Sequence, residues 1–153
     1  MSNFKNSCFD ECEPKCPRLI VLEAVSLTPQ NVAPLLAVPF DTNLVNLGNG
    51  ILHTPGETNF SLVAKGVYRI TFTGSVTSNG EGVTIVGVAL AINGLIISGT
   101  TVTETVIAGT TAALATQTIV QVAPCFSTVV TVVNPTTSTE TFTNPNIIIE
   151  KIG

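Results

Sequence analysis

The stretch Gly66–Val76, GVYRITFTGSV, alternates apolar and polar residues with a period of two. Its apolar positions are the even-numbered Tyr68, Ile70, Phe72 and Val76, and the residues between them are mostly threonine, serine and arginine. β-Branched and aromatic residues in this alternation are typical of a strand with one face in a core and the other toward water. We predict that the stretch is such a strand and that its four apolar side chains belong to a core.

Similar short segments occupy most of the remaining chain. Turn sequences separate them, such as Gly48–Gly50, Thr54–Gly56 and Asn93-Gly94. The other segments that we predict to contain strands are Leu19–Val25, Leu44–Leu47, Ile51–His53, Phe60–Val63, Val83–Ile92, Leu95–Ser98, Thr101–Ile107, Ala112–Val122, Val129–Val133 and Phe142–Ile152. A helical period is found nowhere. About ten short strands at near-regular spacing predict an all-β sandwich, jelly roll or small barrel.

The composition favours association with other subunits. Of the 153 residues, 44% are hydrophobic and only 10% are charged, against about 25% charged in typical domains. No lysine or arginine lies between Arg69 and Lys151. A surface of this kind is typical of a protein that other subunits cover. The alternative is a threonine-rich surface that hydroxyl groups keep soluble.

Several function classes do not fit the sequence. The net charge of −4 and the absence of tryptophan argue against nucleic-acid binding, because there is no basic stripe and few aromatic side chains to stack on bases. The apolar run Val83–Gly99 is interrupted by the hairpin signal Asn93-Gly94, so we do not expect a membrane span. The first seventeen residues are polar and charged, and we expect no secretory signal in them.

Candidate catalytic and metal-binding residues are few. The single histidine, His53, precedes a turn and is expected to be a surface or strand-end residue. The carboxylates of the domain are scattered singly, at Asp41, Glu57, Glu81, Glu104, Glu140 and Glu150. Paired acid–base chemistry and calcium cages both need clustered carboxylates. We therefore expect no enzyme activity, no cofactor and no metal.

The cysteines divide the chain into two parts. Cys8, Cys12 and Cys16 lie in residues 1–17, which we interpret as an extended connector arm, whereas Cys125 lies in the domain of residues 18–153. Four interpretations are open for these thiols. They could bind a metal or form a redox pair, although the sequence lacks the CxxC pair that is common to zinc sites and redox motifs. Cys125 could be buried and inert. The thiols could also form disulfides within the arm or between chains.

We favour disulfides between chains. Thiols on an arm and on the body of a neighbour make a head-to-tail contact, and such contacts produce rings or filaments. Disulfides persist in oxidising surroundings. A chain without a secretory signal would therefore be made in a reducing cytoplasm and oxidised after release.

The body of the chain resembles the C-terminal domain of Bacillus collagen-like exosporium glycoproteins. The residues that carry this resemblance are Pro39–Thr42 (PFDT), Pro55–Val76, Ala89–Gly94 (ALAING), Gly99–Thr103 (GTTVT) and Ile147–Ile152 (IIIEKI). The resemblance implies a C1q/TNF-like jelly roll that associates as a homotrimer. It also implies that apolar strand faces, including the one predicted at residues 66–76, are buried in the oligomer. The Gly-X-Y stalk of those proteins is absent from this sequence.

A cysteine-bearing arm in place of the stalk resembles the connector of endospore appendage fibre subunits. This resemblance implies that Cys8, Cys12 and Cys16 are connector thiols and that Cys125 is the acceptor on the next subunit. It implies a structural protein at the spore surface, made in the mother cell and linked into fibres. Its partners would be further copies of itself and possible anchor or tip proteins of the exosporium. The alternative is a trimeric binding head of an exosporium or fibre-tip protein.

Overall fold

The computed structural model describes residues 19–153, which form an all-β structure. Met1–Arg18, with the predicted connector arm and its cysteines, lie outside the described residues. Between residues 19 and 153 there are twelve strands and no helix. They are β1 (Val21–Val25), β2 (Gln30–Val32), β3 (Thr42–Leu47), β4 (Ile51–Leu52), β5 (Phe60–Leu62), β6 (Gly66–Ser78), β7 (Val83–Ile92), β8 (Leu95–Ile96), β9 (Val102–Ile107), β10 (Thr111–Val122), β11 (Thr128–Val133) and β12 (Glu140–Lys151).

The strands form two six-stranded antiparallel sheets. The first sheet has the order β10-β6-β12-β1-β3, with β2 beside β1 on the same edge of β12. The second has the order β4-β5-β11-β7-β8, and β9 also pairs with β7. Most neighbours are far apart in the sequence, as in a jelly roll, and this predicts slow folding because long loops must close first.

The core lies between the two sheets and follows the alternation along each strand. β6 and β10 alternate buried and exposed positions along most of their length. The predicted apolar set Tyr68, Ile70, Phe72 and Val76 is completely buried. Phe72 contacts Phe142 of β12 edge to face, with 6.3 Å between ring centroids, an arrangement that aromatic pairs prefer. The prediction of an all-β fold, with a half-buried strand at residues 66–76, is confirmed.

The strand β7 departs from simple alternation. Its first residues are partly exposed, but Val86–Ala91 are buried on both faces. The reason is that Ala37, which bridges to Val133 of β11, packs against Ala89 and Ala91 on the outer surface of the second sheet. This cover explains the continuous apolar sequence that resembles a membrane span. The described residues contain no helix that is long and apolar enough to cross a membrane.

The motif Pro39–Thr42 connects the two sheets, because Phe40 packs on the second sheet and Asp41 binds the segment between β1 and β2 of the first. Phe40 is completely buried and contacts Phe60 of β5 edge to face at 5.4 Å. Asp41 accepts hydrogen bonds from the backbone N–H of Leu27 (3.0 Å) and from the hydroxyls of Thr28 (3.1 Å) and Thr42 (2.8 Å). The Leu27 backbone bond, followed by the hydroxyl of Thr42, lowers the pKa of the Asp41 carboxyl. PFDT thus fixes the segment between β1 and β2.

Candidate assembly surfaces

The four residues assigned to an oligomer core lie inside one subunit. Tyr68, Ile70, Phe72 and Val76 have no exposed surface in the single chain. The phenolic hydroxyl of Tyr68 donates to the carbonyl of Ala64 at 2.6 Å, and burial raises the pKa of this phenol. These four side chains are therefore not accessible to a neighbouring subunit, whereas the opposite face of the same sheet is exposed.

That opposite face, which we call the front face, is almost uncharged. It comprises the outward residues of β6, β10 and β12, among them Thr71, Thr73, Ala113, Ala115, Gln117, Ile119, Gln121 and Ile148. Cross-strand pairs join them: Gln117 lies opposite Thr71, and Ala115 lies opposite Thr73. Ile119 is an exposed apolar side chain on this face, 56% accessible. The scarcity of charge on this face agrees with the depletion of charged residues at the cores of protein interfaces.

The charged groups on the front face have partners. Arg69 lies directly opposite Glu150 in the strand register, and Nη1 of Arg69 is 3.1 Å from Oε1 of Glu150. Glu23 of β1 accepts a hydrogen bond from Nδ2 of Asn146 at 2.8 Å. Pairing reduces the cost of removing these charges from water when another surface covers them. On the front face, Arg69 and Glu150 therefore compensate each other's charge, whereas Glu23 keeps its negative charge and is hydrogen-bonded to a neutral amide.

A shallow groove crosses the front face where β12 is irregular. The register between β12 and β6 shifts between Thr143 and Asn146, and Asn144 has a left-handed backbone with φ of 49°. The groove of about 320 Å³ lies between Gly74 and Ala113–Ala115. A Cβ atom at Gly74 would lie 2.9 Å from the Phe72 ring and 3.2 Å from Pro145. Glycine is thus required for the close approach of β6 to this bulge.

Cys125 is exposed in the loop between β10 and β11 and forms no disulfide with another described residue. Its backbone is left-handed, with φ of 63°, and it follows Pro124. The next residue, Phe126, is 69% exposed. A buried, inert Cys125 is therefore excluded. The pairing of Cys125 with Cys8, Cys12 or Cys16 stays a prediction, because those three residues lie outside the described part of the chain.

His53 is largely buried and has a structural environment. Its ring stacks on Phe60, with centroids 4.1 Å apart, and its nitrogens lie 2.6 Å from Oδ1 of Asn43 and 3.0 Å from the carbonyl oxygen of Glu57. Burial lowers the pKa of the imidazole. The prediction of a surface or strand-end residue holds for the strand end, because β4 ends at Leu52. The ring is not on the surface, since it is buried against Phe60. In residues 19–153, no three His, Cys, Asp or Glu side chains are grouped so that they could hold a metal.

The carboxyl group of Glu140 is buried, which the sequence pattern did not lead us to predict. This side chain is 0% exposed, and its Oε1 accepts from the backbone N–H of Gly87 at 2.6 Å and lies 3.2 Å from Oγ1 of Thr136. Its Oε2 has no hydrogen-bond partner among the described residues. Burial raises the pKa of Glu140 to about 7. Its even-numbered position, two before the buried Phe142, was a signal that could have identified it.

Comparison with known proteins identifies the architecture. The globular domain of zebrafish complement 1qA has a TM-score of 0.59 with this chain at 10% identity, and 87% of this chain and 95% of that one are covered. Murine APRIL, in its structure at pH 5.0, has a TM-score of 0.62 at 10% identity, with coverage of 88% and 100%. The fold is the C1q/TNF-like jelly roll.

A third protein with a similar structure is the TNF Eiger from S. frugiperda. Its TM-score is 0.59 at 9% identity, and the match covers 90% of this chain and 94% of that one. No protein-family model and no curated protein matches this sequence. The C1q/TNF-like jelly roll is thus shared at the level of the fold.

Proposed function

We propose that this protein is a structural subunit that assembles with copies of itself into a fibre at the surface of bacterial endospores. The observation that carries the self-assembly is the front face. Its part on β6 and β10 combines Ile119 and small uncharged side chains with one charged residue, Arg69, which is paired with Glu150. Burying this part of the face against a second copy removes no unpaired charge from water, so the apolar contacts contribute to association.

A homotrimer is the assembly that the C1q/TNF-like fold and the resemblance to exosporium domains favour. The low charge of the chain agrees with a large interface, since only 10% of its residues are charged. In this proposal, the trimers are the units from which the fibre is built. Anchor or tip proteins of the exosporium would bind at its ends.

Disulfides between subunits would make the assembly covalent. The exposed Cys125 is accessible to a thiol of another chain, and Cys8, Cys12 and Cys16 lie in the polar segment that resembles a fibre connector. Synthesis in the mother cell keeps these thiols reduced, and oxidation follows release. Each disulfide would also restrict the unfolded chain, which typically stabilises a protein by 2–4 kcal/mol.

The second candidate is a trimeric binding head at a fibre tip or on the exosporium. It is favoured by the groove of about 320 Å³ between Gly74 and Ala113–Ala115, which could hold a ligand instead of a subunit. Both candidates are non-enzymatic, since His53 is used in structural contacts and no cofactor is needed. They differ in whether the protein polymerises by itself.

A denaturing gel of the air-oxidised full chain, with and without reductant, tests the proposal. We expect a ladder of covalent species that reductant collapses to one band near 15.9 kDa. The Cys125→Ser variant should lose the bonds made through the body but keep its size by light scattering in native buffer. A single monomer band in both lanes would contradict covalent polymerisation and favour the binding head.

A further inference from the structure

The strand register brings the start of the described chain and Cys125 to one end of the first sheet. Val122 of β10 lies opposite Gly66 of β6, Lys151 of β12 lies opposite Tyr68, and Val21 of β1 lies opposite Glu150. We call this end, with residues 19–21, 65–67, 121–125 and 151–153, the base. The loop with Cys125 and the point where residues 1–18 join the domain are therefore neighbours at the base.

The base contains a groove with two lysines. Its volume is about 350 Å³, and Lys65, Val67, Gln121, Pro124 and Lys151 are among the residues that line it. Residues 19–153 include only three lysines or arginines. The third, Arg69, is paired with Glu150 on the front face, whereas neither lysine forms an ion pair with another described residue. The groove therefore holds both cationic side chains that have no ion-pair partner in the described part of the chain.

The backbone packing holds one of these lysines in place. A Cβ atom at Gly66 would clash with Cε of Lys151 and with the carbonyl oxygen of Gly153. That oxygen accepts a hydrogen bond from the N–H of Val67 at 2.8 Å. The stem of Lys151 thus packs on Gly66, whose φ of 144° also favours glycine.

Residues 10–13 carry a charge opposite to that of the groove, although residues 1–18 as a whole have no net charge. Asp10, Glu11 and Glu13 place three carboxylates around Cys12, and the nearest cations, Lys15 and Arg18, follow them. Opposite charges attract most strongly where few other charges compete. The two lysines share a groove with Pro124, the residue before Cys125, and their charge is opposite to that of the acidic residues around Cys12.

The length of the chain permits contact within one subunit. β1 and β10 are three strand spacings apart in the first sheet, which is roughly 14 Å. Leu19 is seven positions after Cys12, and seven extended residues span at most roughly 23 Å at ~3.3 Å each. Cys16 is only three positions before Leu19, and its reach of roughly 10 Å is too short to cross the sheet.

We propose that the acidic segment Asp10–Glu13 docks in the Lys65–Lys151 groove of its own subunit and brings Cys12 to Cys125. The short connection through residues 14–18 gives the segment an effective concentration on the order of mM at its own groove. In a dilute subunit, this contact precedes contact with a neighbour. The docked segment occupies Cys125 before assembly, and exchange of the segment between subunits would produce the cross-link.

The covalent step needs an oxidant, for which we name a low-molecular-weight disulfide such as oxidised glutathione. The Cys12 and Cys125 thiols lose two protons and two electrons as their sulfur–sulfur bond forms. The bond within glutathione disulfide breaks, and the two electrons and two protons yield two glutathione thiols. The reaction proceeds by thiolate attack through a mixed disulfide. This inference rests on the proposed role of Cys125 as the acceptor, and it specifies which chain supplies the segment.

The experiment uses the full chain with Cys8→Ser and Cys16→Ser, so that Cys12 and Cys125 are the remaining thiols. Oxidised glutathione is added over a roughly hundredfold range of protein concentration, and the Cys12–Cys125 peptide is quantified by mass spectrometry. We expect a disulfide within single chains that forms at a rate independent of protein concentration. Added salt should slow it, because exposed charges are screened.

Charge variants test the groove itself. Lys65→Gln with Lys151→Gln should slow formation of the disulfide roughly tenfold, since each exposed ion pair contributes up to about 1 kcal/mol. The matched control is Thr101→Glu with Thr105→Glu, which changes the net charge by the same amount. Thr101 precedes β9 of the second sheet, Thr105 lies on it, and both are exposed. This control should leave the rate of disulfide formation unchanged. Lys65→Glu with Lys151→Glu should be rescued by Asp10→Lys with Glu13→Lys.

Three results would overturn the inference. A rate proportional to protein concentration, with linked dimers, would show that the segment comes from a neighbour and would leave the proposed fibre function intact. A rate insensitive to both salt and the lysine variants would exclude docking in the groove. Absence of the Cys12–Cys125 peptide would exclude the pairing. Failure of the fibre function is separate, because it is measured by the wild-type ladder on the denaturing gel.

Discussion

Replacing Glu140 by glutamine should remove a pH dependence of stability that this carboxyl group causes. In the folded subunit the group is completely buried, and its pKa is about 7 instead of 4.5. Between these two pH values the folded state holds a proton that the unfolded state releases. Stability from the protonated form is therefore fully present below pH 4.5 and is lost as the pH rises through about 7. Glutamine stays neutral and keeps an oxygen for the N–H of Gly87.

The size of the effect follows from the two pKa values. A difference from 4.5 to about 7 corresponds to at most about 3.5 kcal/mol, because each pH unit is worth about 1.4 kcal/mol. Solvent entry around the ionised group reduces this value, so we expect 1.5–3 kcal/mol, or roughly 2 kcal/mol between pH 5 and 8. Wild-type protein should lose this much stability, relative to the glutamine variant, over that interval.

Urea unfolding followed by far-ultraviolet circular dichroism measures the difference. Reductant and a fixed protein concentration remove contributions from disulfides and from subunit association. Glu104→Gln, at an exposed position of β9, is the matched control and should behave like the wild type at both pH values. If Glu140→Gln and wild-type protein show the same change in unfolding free energy between pH 5 and 8, the buried carboxyl group does not carry the effect and the reasoning fails.

Three further predictions concern the hydrogen bonds of the domain and the front face. Asp41→Asn should lower the melting temperature at neutral pH. In a series of thermal melts, the difference from wild type should vanish as the pH falls below 3.8 and through the lowered pKa of Asp41. A difference at pH 2 equal to that at neutral pH would contradict this. Tyr68→Phe removes the 2.6 Å bond to Ala64 and should reduce the unfolding free energy by about 0.5–1.5 kcal/mol in urea titrations, whereas no change would mean that the bond adds nothing. Ile119→Lys should weaken subunit association roughly tenfold or more by light scattering. Val83→Lys, at an exposed apolar position of the second sheet, should not weaken it, and equal effects of the two would exclude the front face as the interface.

The sequence was sufficient for the elements whose pattern is governed by one buried face. The alternation at Gly66–Val76 and Ala112–Val122 identified β6 and β10 because their inward residues meet one core. The turn Asn93-Gly94 identified the hairpin of β7 and β8, since both residues have positive φ as such turns require. The short strand β2 was less clear because it contains only three residues, whereas the two residues of β4 lie within the predicted segment Ile51–His53.

Features that depend on contacts between distant residues were not evident in the sequence. Glu140 is buried because its partner Gly87 lies 53 residues away on the other sheet. His53 is buried because Phe60 stacks on it, although a turn follows the histidine directly. The two-lysine groove is formed because the first residues of β6 lie next to the last residues of β12. The burial of Glu140, the burial of His53 and the two-lysine groove all depend on contacts between elements that are separate in the chain. The local sequence pattern does not show which elements come into contact.

Because the front face has few charges, the strength of association through it should depend on temperature. An interface of threonine, alanine, glutamine and isoleucine side chains gains its free energy mainly from the removal of apolar surface from water, and this contribution weakens on cooling. Simple salt should change the association little, because few charges are left to screen, whereas sulfate should strengthen it. Subunits that are held only by this face would separate more readily in the cold than in concentrated sodium chloride.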